Sequence, residues 1–405
     1  MNILIINLHS ALNLGDEAIL QQTITLLHKK YPGSTITLMA NHPKSWKVIE
    51  NVFIKPSLIH YVENFNSFFL KGLALIRVLI SLLLRGNIKF FVKGQNELQA
   101  ILTSLRSADL VLSAGGGNFY TNTIIGKDFI LNVLLLFFAG LLNKTIVMLP
   151  QSFGPVRTKC QMKLLKGGLK FAKKIYVREA QSYEFLVRIG INPQVVQLIP
   201  DLALLSNCEP RKPNRKNETY KIGMTIINRG AQTKTFKFQE SYQVAIIKFI
   251  HKIIEQTNAE LFIFVQCYGP SQDQNDNLIS TFIYNRFCEV SDRIHLLNEY
   301  KNSNDLLCDL AEMDIMIASR MHSAIFSLAT NTPSILIGYQ PKSKGLFDLF
   351  GLQKYFMDIT EVNAEKLYSL SADLFSNYRN ISDQEIAILH DVRSTILESM
   401  LTEKW

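Results

Sequence analysis

Short β-rich apolar runs alternate along the chain with longer stretches in which apolar residues recur at helical spacing. This alternation is typical of parallel α/β architecture, in which crossover helices pack against a buried sheet. One series of strands is predicted at residues 3–7, 35–40, 110–113, 145–149, 174–177 and 195–198. A second series is predicted at residues 222–227, 261–266, 294–296, 314–318, 334–337 and 355–358.

The two series are separated by a polar stretch, NCEPRKPNRKNETYK at residues 207–221, which predicts a linker. A chain of 405 residues is also too long for one ordinary core. We therefore expect an α/β protein of two Rossmann-like domains that face a central cleft. The N-terminal domain would occupy residues 1–206 and the C-terminal domain residues 222–380.

The last segment, residues 382–402, has helical periodicity. Ser382 followed three positions later by Glu385 has the pattern of a capping box, which predicts that the helix begins at Ser382. In two-domain proteins of this kind such a helix often crosses back, so residues 381–405 are expected to return to the N-terminal domain.

The composition indicates a globular protein with anionic partners. Hydrophobic residues make up 47% of the chain, and the formal net charge is +9. Lys and Arg are spread along the sequence without an RNA-binding signature, so nucleic acid is not expected as a partner. The odd number and wide separation of the five cysteines argue against a disulfide framework and against a Cys-rich zinc site. The start, MNILIINL, has the pattern of a strand rather than a signal peptide, which predicts a cytoplasmic location.

Two apolar stretches need an assignment. Residues 129–142 are too few to span a bilayer and predict a buried helix. Residues 68–84 predict a helix whose polar side chains fall within roughly one third of a helical wheel, namely Ser67, Lys71, Arg77, Ser81 and Arg85. One interpretation is a core helix with a narrow wet face. The other is a helix that lies in a membrane interface, at the inner face of the plasma membrane, or that binds a lipid-linked substrate.

The first strand-to-helix junction, NLHSALNLGDEAI, places Gly15 in a tight turn and Asp16 at the expected N-cap. Capping explains Asp16, and the alternative is that Asp16 or Glu17 acts as a general base. The junction is not GxGxxG, so a dinucleotide fingerprint is absent.

A glycine run follows the next strand in SAGGGN. Gly115, Gly116, Gly117 and Asn118 either surround an anion with backbone N–H groups or form a tight turn into a helix. A P-loop is excluded because no Lys-Ser/Thr follows. After residues 145–149, the loop PQSFGP presents Gln151 as a candidate ligand contact.

Two arginines lie at the carboxyl ends of predicted strands, where ligands bind in parallel α/β proteins. Arg178 is either substrate-binding or paired with the adjacent Glu179. Arg320 precedes His322 and Ser323 in the pentapeptide SRMHS, which is the strongest signal in the chain. His322 occupies the first turn of a helix, where the dipole disfavours the imidazolium until an anion binds nearby.

Taken together, the motifs NLGDEAI, SAGGGNFY, LPQSFGPV, VREAQSYEFL, PDLAL and SRMHSAIFSLATNTPSILIGYQPKSKG resemble the polysaccharide pyruvyl transferase family over roughly residues 3–350. The resemblance implies a GT-B-like fold and phosphoenolpyruvate as donor substrate, with no cofactor and no metal. It implies that Arg178 and Arg320 hold the donor's phosphate and carboxylate, and that His322 is catalytic. The acceptor would be a sugar of an exopolysaccharide or cell-wall precursor, which a lipid carrier can present.

Two other functions stay open at the level of sequence. A GT-B glycosyltransferase that uses a nucleotide sugar would share the architecture and could use Arg320 for a pyrophosphate. A non-catalytic family member would act as a binding protein in envelope-polysaccharide synthesis.

Overall fold

The computed structural model describes residues 1–84, 95–208, 219–228, 239–339 and 341–405. Most of the predicted linker, and Arg85 of the predicted helical wheel, lie outside the described residues. The described residues fall into two compact units, which are not contiguous in sequence. Unit 1 comprises Met1–Ala11, Ile19–Asp201 and Ile396–Trp405, and unit 2 comprises Leu12–Ala18 and Leu202–Thr395.

Unit 1 is built on a parallel sheet with the strand order β3-β2-β1-β4-β6-β7-β8, and β5 pairs with β6. The central strands are apolar on both faces because helices cover both sides of the sheet. The strands are β1 (Asn2–Leu8), β2 (Thr35–Ala40), β3 (Val52–Pro56), β4 (Leu110–Ser113), β5 (Gly116–Phe119), β6 (Thr145–Phe153), β7 (Ala172–Val177) and β8 (Val196–Leu198).

The helices associated with the unit 1 sheet connect its strands. They are α1 (Leu14–Lys30), α2 (Leu58–Glu63), α3 (Phe68–Leu83), α4 (Gln95–Ser107), α5 (Lys127–Leu141), α6 (Lys159–Leu169) and α7 (Ala180–Arg188). The buried helix predicted at residues 129–142 is confirmed as α5, most of whose side chains lie in the core. Among the described residues no helix is both long and apolar enough to cross a membrane.

Unit 2 contains a second parallel sheet, with the order β11-β10-β9-β12-β13-β14. Its strands are β9 (Lys221–Thr225), β10 (Glu260–Phe264), β11 (Ile294–Leu297), β12 (Ile315–Ala318), β13 (Ser334–Gly338) and β14 (Phe356–Asp358). Its helices are α8 (Gln239–Gln256), α9 (Asp276–Phe287), α10 (Ser303–Ala311), α11 (Met321–Ala329), α12 (Pro341–Leu349) and α13 (Ala364–Thr402).

The first strand-to-helix junction was expected in the N-terminal domain, but Leu12–Ala18 packs with unit 2. The backbone explains the difference. The Leu14 N–H donates to the Gln266 carbonyl oxygen at 3.1 Å, and the Tyr268 N–H donates to the Leu12 carbonyl oxygen at 2.8 Å. These bonds attach the junction to the end of β10.

The last helix differs from the prediction at its start. It begins at Ala364 and continues through Ser382, so the predicted capping box is wrong. Its final residues belong to unit 1, where Lys174 Nζ lies 3.0 Å from Glu403 Oε1 and Trp405 Nε1 donates to the Tyr176 hydroxyl at 3.2 Å. A Ser-x-x-Glu pattern can form a capping box only at the N-terminus of a helix. Here the pattern lies in the interior of α13, which explains the error.

Glu385 is consequently a core residue rather than a capping residue. Its side chain is fully buried, and neither carboxyl oxygen has a hydrogen-bond partner among the described residues. Burial raises the pKa of the Glu385 carboxyl from 4.5 to about 8. The folded protein therefore holds a proton that the unfolded chain releases between those two pH values.

Because the folded state binds this extra proton, its stability should fall as pH rises from about 5 to 8. We expect Glu385→Gln to remove this dependence, since the amide cannot ionise. At pH 8 the variant should be more stable than the parent by a few kcal/mol, at roughly 1.4 kcal/mol per pKa unit. At pH 5 the two should agree within about 1 kcal/mol.

The measurement is urea unfolding of both proteins at pH 5, 6.5 and 8. Asp383→Asn, which alters an exposed carboxylate on the same helix, is the matched control and should leave the pH dependence unchanged. The prediction would be contradicted if the difference in the free energy of unfolding between Glu385→Gln and the parent did not vary with pH.

Two cysteines form a disulfide within unit 2. Cys208 and Cys308 are joined with their Cα atoms 5.5 Å apart. The number and separation of the cysteines argued against a disulfide framework, yet this one pair forms, because wide separation along a chain does not limit proximity in the fold.

The wet face predicted for residues 68–84 is also wrong. Ser81, assigned to that face, is fully buried in α3. Apolar side chains that were expected to face the core are exposed instead, among them Phe68 and Leu83.

Candidate functional site

The junction of β12 and α11 in unit 2 carries the pentapeptide SRMHS. Ser319 is fully buried, and its backbone N–H donates to Thr225 Oγ1 at 3.0 Å. Its hydroxyl lies 2.8 Å from the hydroxyl of Tyr242, whose pKa is raised by burial. Ser319 therefore fixes the junction to β9 and α8, and so determines where the next three residues lie.

Arg320 is held by a buried carboxylate. Its Nε and Nη2 donate to the two oxygens of Asp276 at 2.8 and 2.7 Å. Burial disfavours the charge of the guanidinium, but Asp276 outweighs burial and raises the pKa of Arg320 well above its ordinary value. The bidentate pair fixes the plane of the guanidinium. Among the described residues Nη1 has no hydrogen-bond partner, so it can donate to a ligand.

Arg320 also lies at the N-cap of α11, without a side-chain cap on the first turn. The N-terminus of a helix attracts anions because its first N–H groups lack partners within the helix. A guanidinium and a helix N-terminus thus coincide at one junction, which is a suitable place for an anionic group.

His322 is buried in the first turn of α11 and packs against the backbone of Gly15. A Cβ added at Gly15 would lie 2.3 Å from both Cγ and Nδ1 of the imidazole. Only glycine fits at this distance, since real Cβ contacts under 3.0 Å require one side to move. The GDE segment and the histidine, which are predicted separately from the sequence, are therefore in contact.

The turn that presents Gly15 is fixed by Asn13. The Gly15 N–H donates to Asn13 Oδ1 at 3.2 Å, and Asn13 Nδ2 donates to Asp16 Oδ2 at 3.0 Å. Asn13 also forms a bridge with Cys267 at the end of β10. Burial raises the pKa of the Cys267 thiol to about 11, so this cysteine stays protonated at neutral pH.

The two acidic candidates have different surroundings. Glu17 Oε2 accepts a 2.6 Å hydrogen bond from the N–H of Ser303 and so caps α10. Asp16 bonds to Asn13 beside the turn that contacts His322. Ser323, also predicted as a substrate contact, is fully buried and donates to Gln266 Oε1.

Arg178 in unit 1 belongs to a second buried network. Its Nε donates to Ser152 Oγ at 2.8 Å, and its Nη1 donates to Asp201. Glu179 lies 3.6 Å from Nε and accepts a hydrogen bond from Ser152 at 3.0 Å. Among the described residues Nη2 of Arg178 has no partner. Both interpretations of Arg178 stay compatible with this arrangement, since it pairs with Glu179 and still has a donor available.

The glycine run does not lead into a helix. Gly116–Phe119 forms β5, in which Gly116 has a φ of 118° and pairs with Gln151 of β6. At Gly115 a Cβ would lie 2.8 Å from the carbonyl oxygen of Pro150. The alternative of a tight strand-to-helix turn is therefore wrong, and the glycines instead let β5 lie close to β6.

Gln151 lies in β6 rather than in a loop, since the strand continues to Phe153. It is fully buried, and neither its amide oxygen nor its amide nitrogen has a partner among the described residues. Its carbonyl oxygen accepts the Arg178 N–H at 3.3 Å. The structure thus brings together Gly116, Gln151 and Arg178 in unit 1, and Gly15, Arg320 and His322 in unit 2.

Sequence reasoning missed a pair of histidines in unit 1. His9 follows β1 and His42 follows β2, and their ring centroids are 5.6 Å apart. Burial, followed by the nearby His9, lowers the pKa of His42 below its ordinary value. Both residues follow the carboxyl ends of adjacent parallel strands, and this position is the signal that would have identified them.

Comparisons with known proteins agree with these motifs. A family model described as polysaccharide pyruvyl transferase matches residues 13–341. The chain is also similar to the amylovoran biosynthesis protein AmsJ of Erwinia amylovora. The two are 23% identical over 398 residues, which cover 95% of this chain and 94% of that protein.

Solved structures resemble the fold. A putative UDP-N-acetylglucosamine 2-epimerase from Listeria monocytogenes has a TM-score of 0.56 and 14% identity, and the match covers 95% of this chain and 90% of that one. Anabaena Alr3699/HepE in complex with UDP and glucose has a TM-score of 0.57 and 10% identity, with 99% and 97% covered. At these identities the likeness shows the fold alone, which is α/β and GT-B-like with two Rossmann-like units.

Proposed function

Because the chain belongs to the polysaccharide pyruvyl transferase family, we propose that it transfers pyruvate from phosphoenolpyruvate to a sugar of an exopolysaccharide or cell-wall glycan precursor. The product is a ketal across two hydroxyls of one sugar, and inorganic phosphate is released. The observation that carries this proposal is the β12–α11 junction, where Arg320, an open helix N-terminus and the buried His322 coincide.

In the first step, the methylene carbon of phosphoenolpyruvate takes a proton from His322 and becomes the methyl group. The adjacent carbon develops oxocarbenium character, and one sugar hydroxyl attacks it and gives its proton to a base, from which a proton returns to His322 by the end of the turnover. In the second step, another hydroxyl of the same sugar displaces the phosphate, and its proton leaves with that phosphate. Atoms and charge balance, because a trianionic donor gives a monoanionic ketal and hydrogen phosphate.

Arg320 is suited to the donor because phosphoenolpyruvate carries up to three negative charges on a small frame. Asp276 orients the guanidinium, and Nη1 and the first N–H groups of α11 are proposed to bind the anion. Arg178 is proposed to bind an anionic group of the donor, as the family resemblance implies. This proposal is supported by Nη2 of Arg178, which has no partner among the described residues after Nε and Nη1 have bonded to Ser152 and Asp201.

Asp16 is the better candidate for the base that accepts a hydroxyl proton. Glu17 is committed to the N-terminus of α10, whereas Asp16 lies in the turn that contacts His322. Gln151 is proposed as a substrate contact, because a buried amide without partners costs free energy that a ligand can recover.

The acceptor is proposed to be lipid-linked, and the protein to work in the cytoplasm at the membrane surface where such precursors are made. The similarity to a protein of amylovoran biosynthesis supports a polysaccharide product.

Thermal shift distinguishes this function from a glycosyltransferase that uses a nucleotide sugar. We expect phosphoenolpyruvate at about 100 times its Kd to stabilise the protein by roughly 2.7 kcal/mol, which corresponds to a rise in Tm of several degrees. UDP-sugars alone should have no comparable effect. Stabilisation by a UDP-sugar but not by phosphoenolpyruvate would overturn the proposal.

The reaction itself is tested by phosphate release from phosphoenolpyruvate against a panel of lipid-linked and nucleotide-linked sugars. Release that depends on one acceptor is expected, and mass spectrometry should show a gain of one pyruvyl ketal. Binding of phosphoenolpyruvate without turnover on any acceptor would favour a non-catalytic family member.

A further inference from the structure

Helix α3 exposes apolar side chains where a globular protein usually exposes polar ones. Phe68 is 95% exposed, Phe69 73% and Leu83 80%, and Ile76 and Leu79 are also exposed. At about 100° per residue, these five side chains fall within an arc of roughly 100°. The only other residue in that arc is Gly72.

The opposite face of α3 packs against the protein. Ala74, Val78 and Ser81 are fully buried there. Lys71 and Arg77 lie between the two faces, each about 120° from the centre of the exposed arc. The helix has no acidic residue. A basic residue on each side of an exposed apolar arc is the pattern of a helix that lies in a membrane interface.

A second exposed apolar segment accompanies the helix. Ile124 and Ile125 are each 74% exposed in the loop that precedes α5. Glu63 at the end of α2 forms ion pairs with Lys71 of α3 and with Lys127 of α5. This shared carboxylate holds the start of α3 and the start of α5 near each other.

Both segments leave the same edge of the unit 1 sheet. The chain reaches α3 from the carboxyl end of β3 through α2, and it reaches residues 124–125 from the carboxyl end of β5. Gln151 and Arg178 also lie toward the carboxyl ends of their strands. If the apolar side chains of these connections contact another surface, Gln151 and Arg178 at the same edge of the sheet lie on the side of unit 1 that faces it.

We propose that Phe68, Phe69, Ile76, Leu79 and Leu83, together with Ile124 and Ile125, form an in-plane membrane anchor that binds an anionic lipid bilayer. The apolar side chains enter the boundary between headgroups and acyl chains, and Lys71 and Arg77 stay at headgroup level. Binding needs no donor or acceptor substrate, so it stands or falls independently of the proposed reaction.

The bilayer is favoured over a second copy of the chain by charge, because two copies that each carry +9 repel each other. The net charge of the protein is +9, and the basic Lys71, Arg77 and Lys127 beside the anchor outnumber the acidic Glu63 and Asp128, which matches an anionic lipid surface. A helix of 16 residues is about 24 Å long, too short to span a bilayer but suited to lie along one.

Sedimentation with vesicles tests the anchor. We expect the parent protein to sediment with phosphatidylcholine–phosphatidylglycerol vesicles, and less strongly with phosphatidylcholine alone. Phe68→Ser/Phe69→Ser/Ile125→Ser should lower the partition coefficient at least tenfold. The side chains are exposed, so its Tm and its phosphate release with a water-soluble acceptor should match the parent.

The matched control is Phe282→Ser/Val290→Ser, which removes exposed apolar side chains of unit 2 and should leave sedimentation unchanged. Equal sedimentation of the triple variant and the parent, or a parent that stays in the supernatant, would overturn the proposal. A parent that is dimeric by light scattering, becomes monomeric in the triple variant and never sediments would assign the surface to self-association instead.

Discussion

Replacing His322 by asparagine is expected to lower phosphate release from phosphoenolpyruvate by about 10² to 10⁴-fold, the usual contribution of a general acid. Asparagine keeps a polar side chain of similar reach at this buried position but has no proton to give at neutral pH. Arg320 and the helix N-terminus are unchanged, so KM for the donor should change much less than kcat. The measurement is steady-state kinetics beside a thermal unfolding curve.

His295→Asn is the control, because it alters a partly exposed histidine of the same unit beside Glu260. It should keep the activity of the parent. If His322→Asn folds normally and keeps more than about a third of the activity, His322 is not the acid, and the proton must come from another group.

Gly15→Ala should disable the same site without removing any of its functional groups. The new Cβ would lie 2.3 Å from the imidazole and 2.7 Å from Cβ of His322, so the ring has to move. A displacement of about 1 Å can cost 10²-fold in rate, and overpacking of this kind costs roughly 1–3 kcal/mol of stability. Both losses are expected together, measured as kcat and as the free energy of unfolding.

A double-mutant cycle separates this contact from a general effect of alanine in the turn. In a His322→Ala background most of the clashing atoms are absent, so Gly15→Ala should cost less stability than it costs in the parent. Gly72→Ala is the matched control, because a Cβ there meets nothing within 4 Å. If Gly15→Ala lowers the free energy of unfolding equally in both backgrounds, the contact with His322 is not the reason that glycine is needed at this position.

Much of the fold could be predicted because buried parallel strands have near-continuous apolar runs. Every predicted strand is present, although β6 continues past Pro150 to Phe153. β3 and β5 were missed for physical reasons. β3 is an edge strand that contains Lys55 and Pro56, and β5 begins with two glycines, so neither has the composition of a strand.

The candidate site was only partly predictable. Arg320 and His322 could be found because they follow a strand directly, and their position alone indicated a ligand. The contact of His322 with Gly15 could not be found, because it joins residues that are distant in sequence. The same applies to Asp276, which pairs with Arg320 but has no distinctive pattern around it. The burial of Glu385 depends on where α13 begins, and a local capping pattern cannot reveal that.

Unit 1 is built from segments at both ends of the sequence, and this has a consequence for synthesis on the ribosome. The sheet of unit 1 is complete once residue 201 has been made, but the unit also contains Ile396–Trp405. Lys30 Nζ donates to the Met400 carbonyl oxygen at 2.7 Å, so this hydrogen bond can form only after residue 400 has been made. Domains usually mature from the N-terminus onward during translation. Here unit 1 starts to fold from its N-terminal segments but cannot complete its packing until residues 396–405 have been made, after the whole of unit 2.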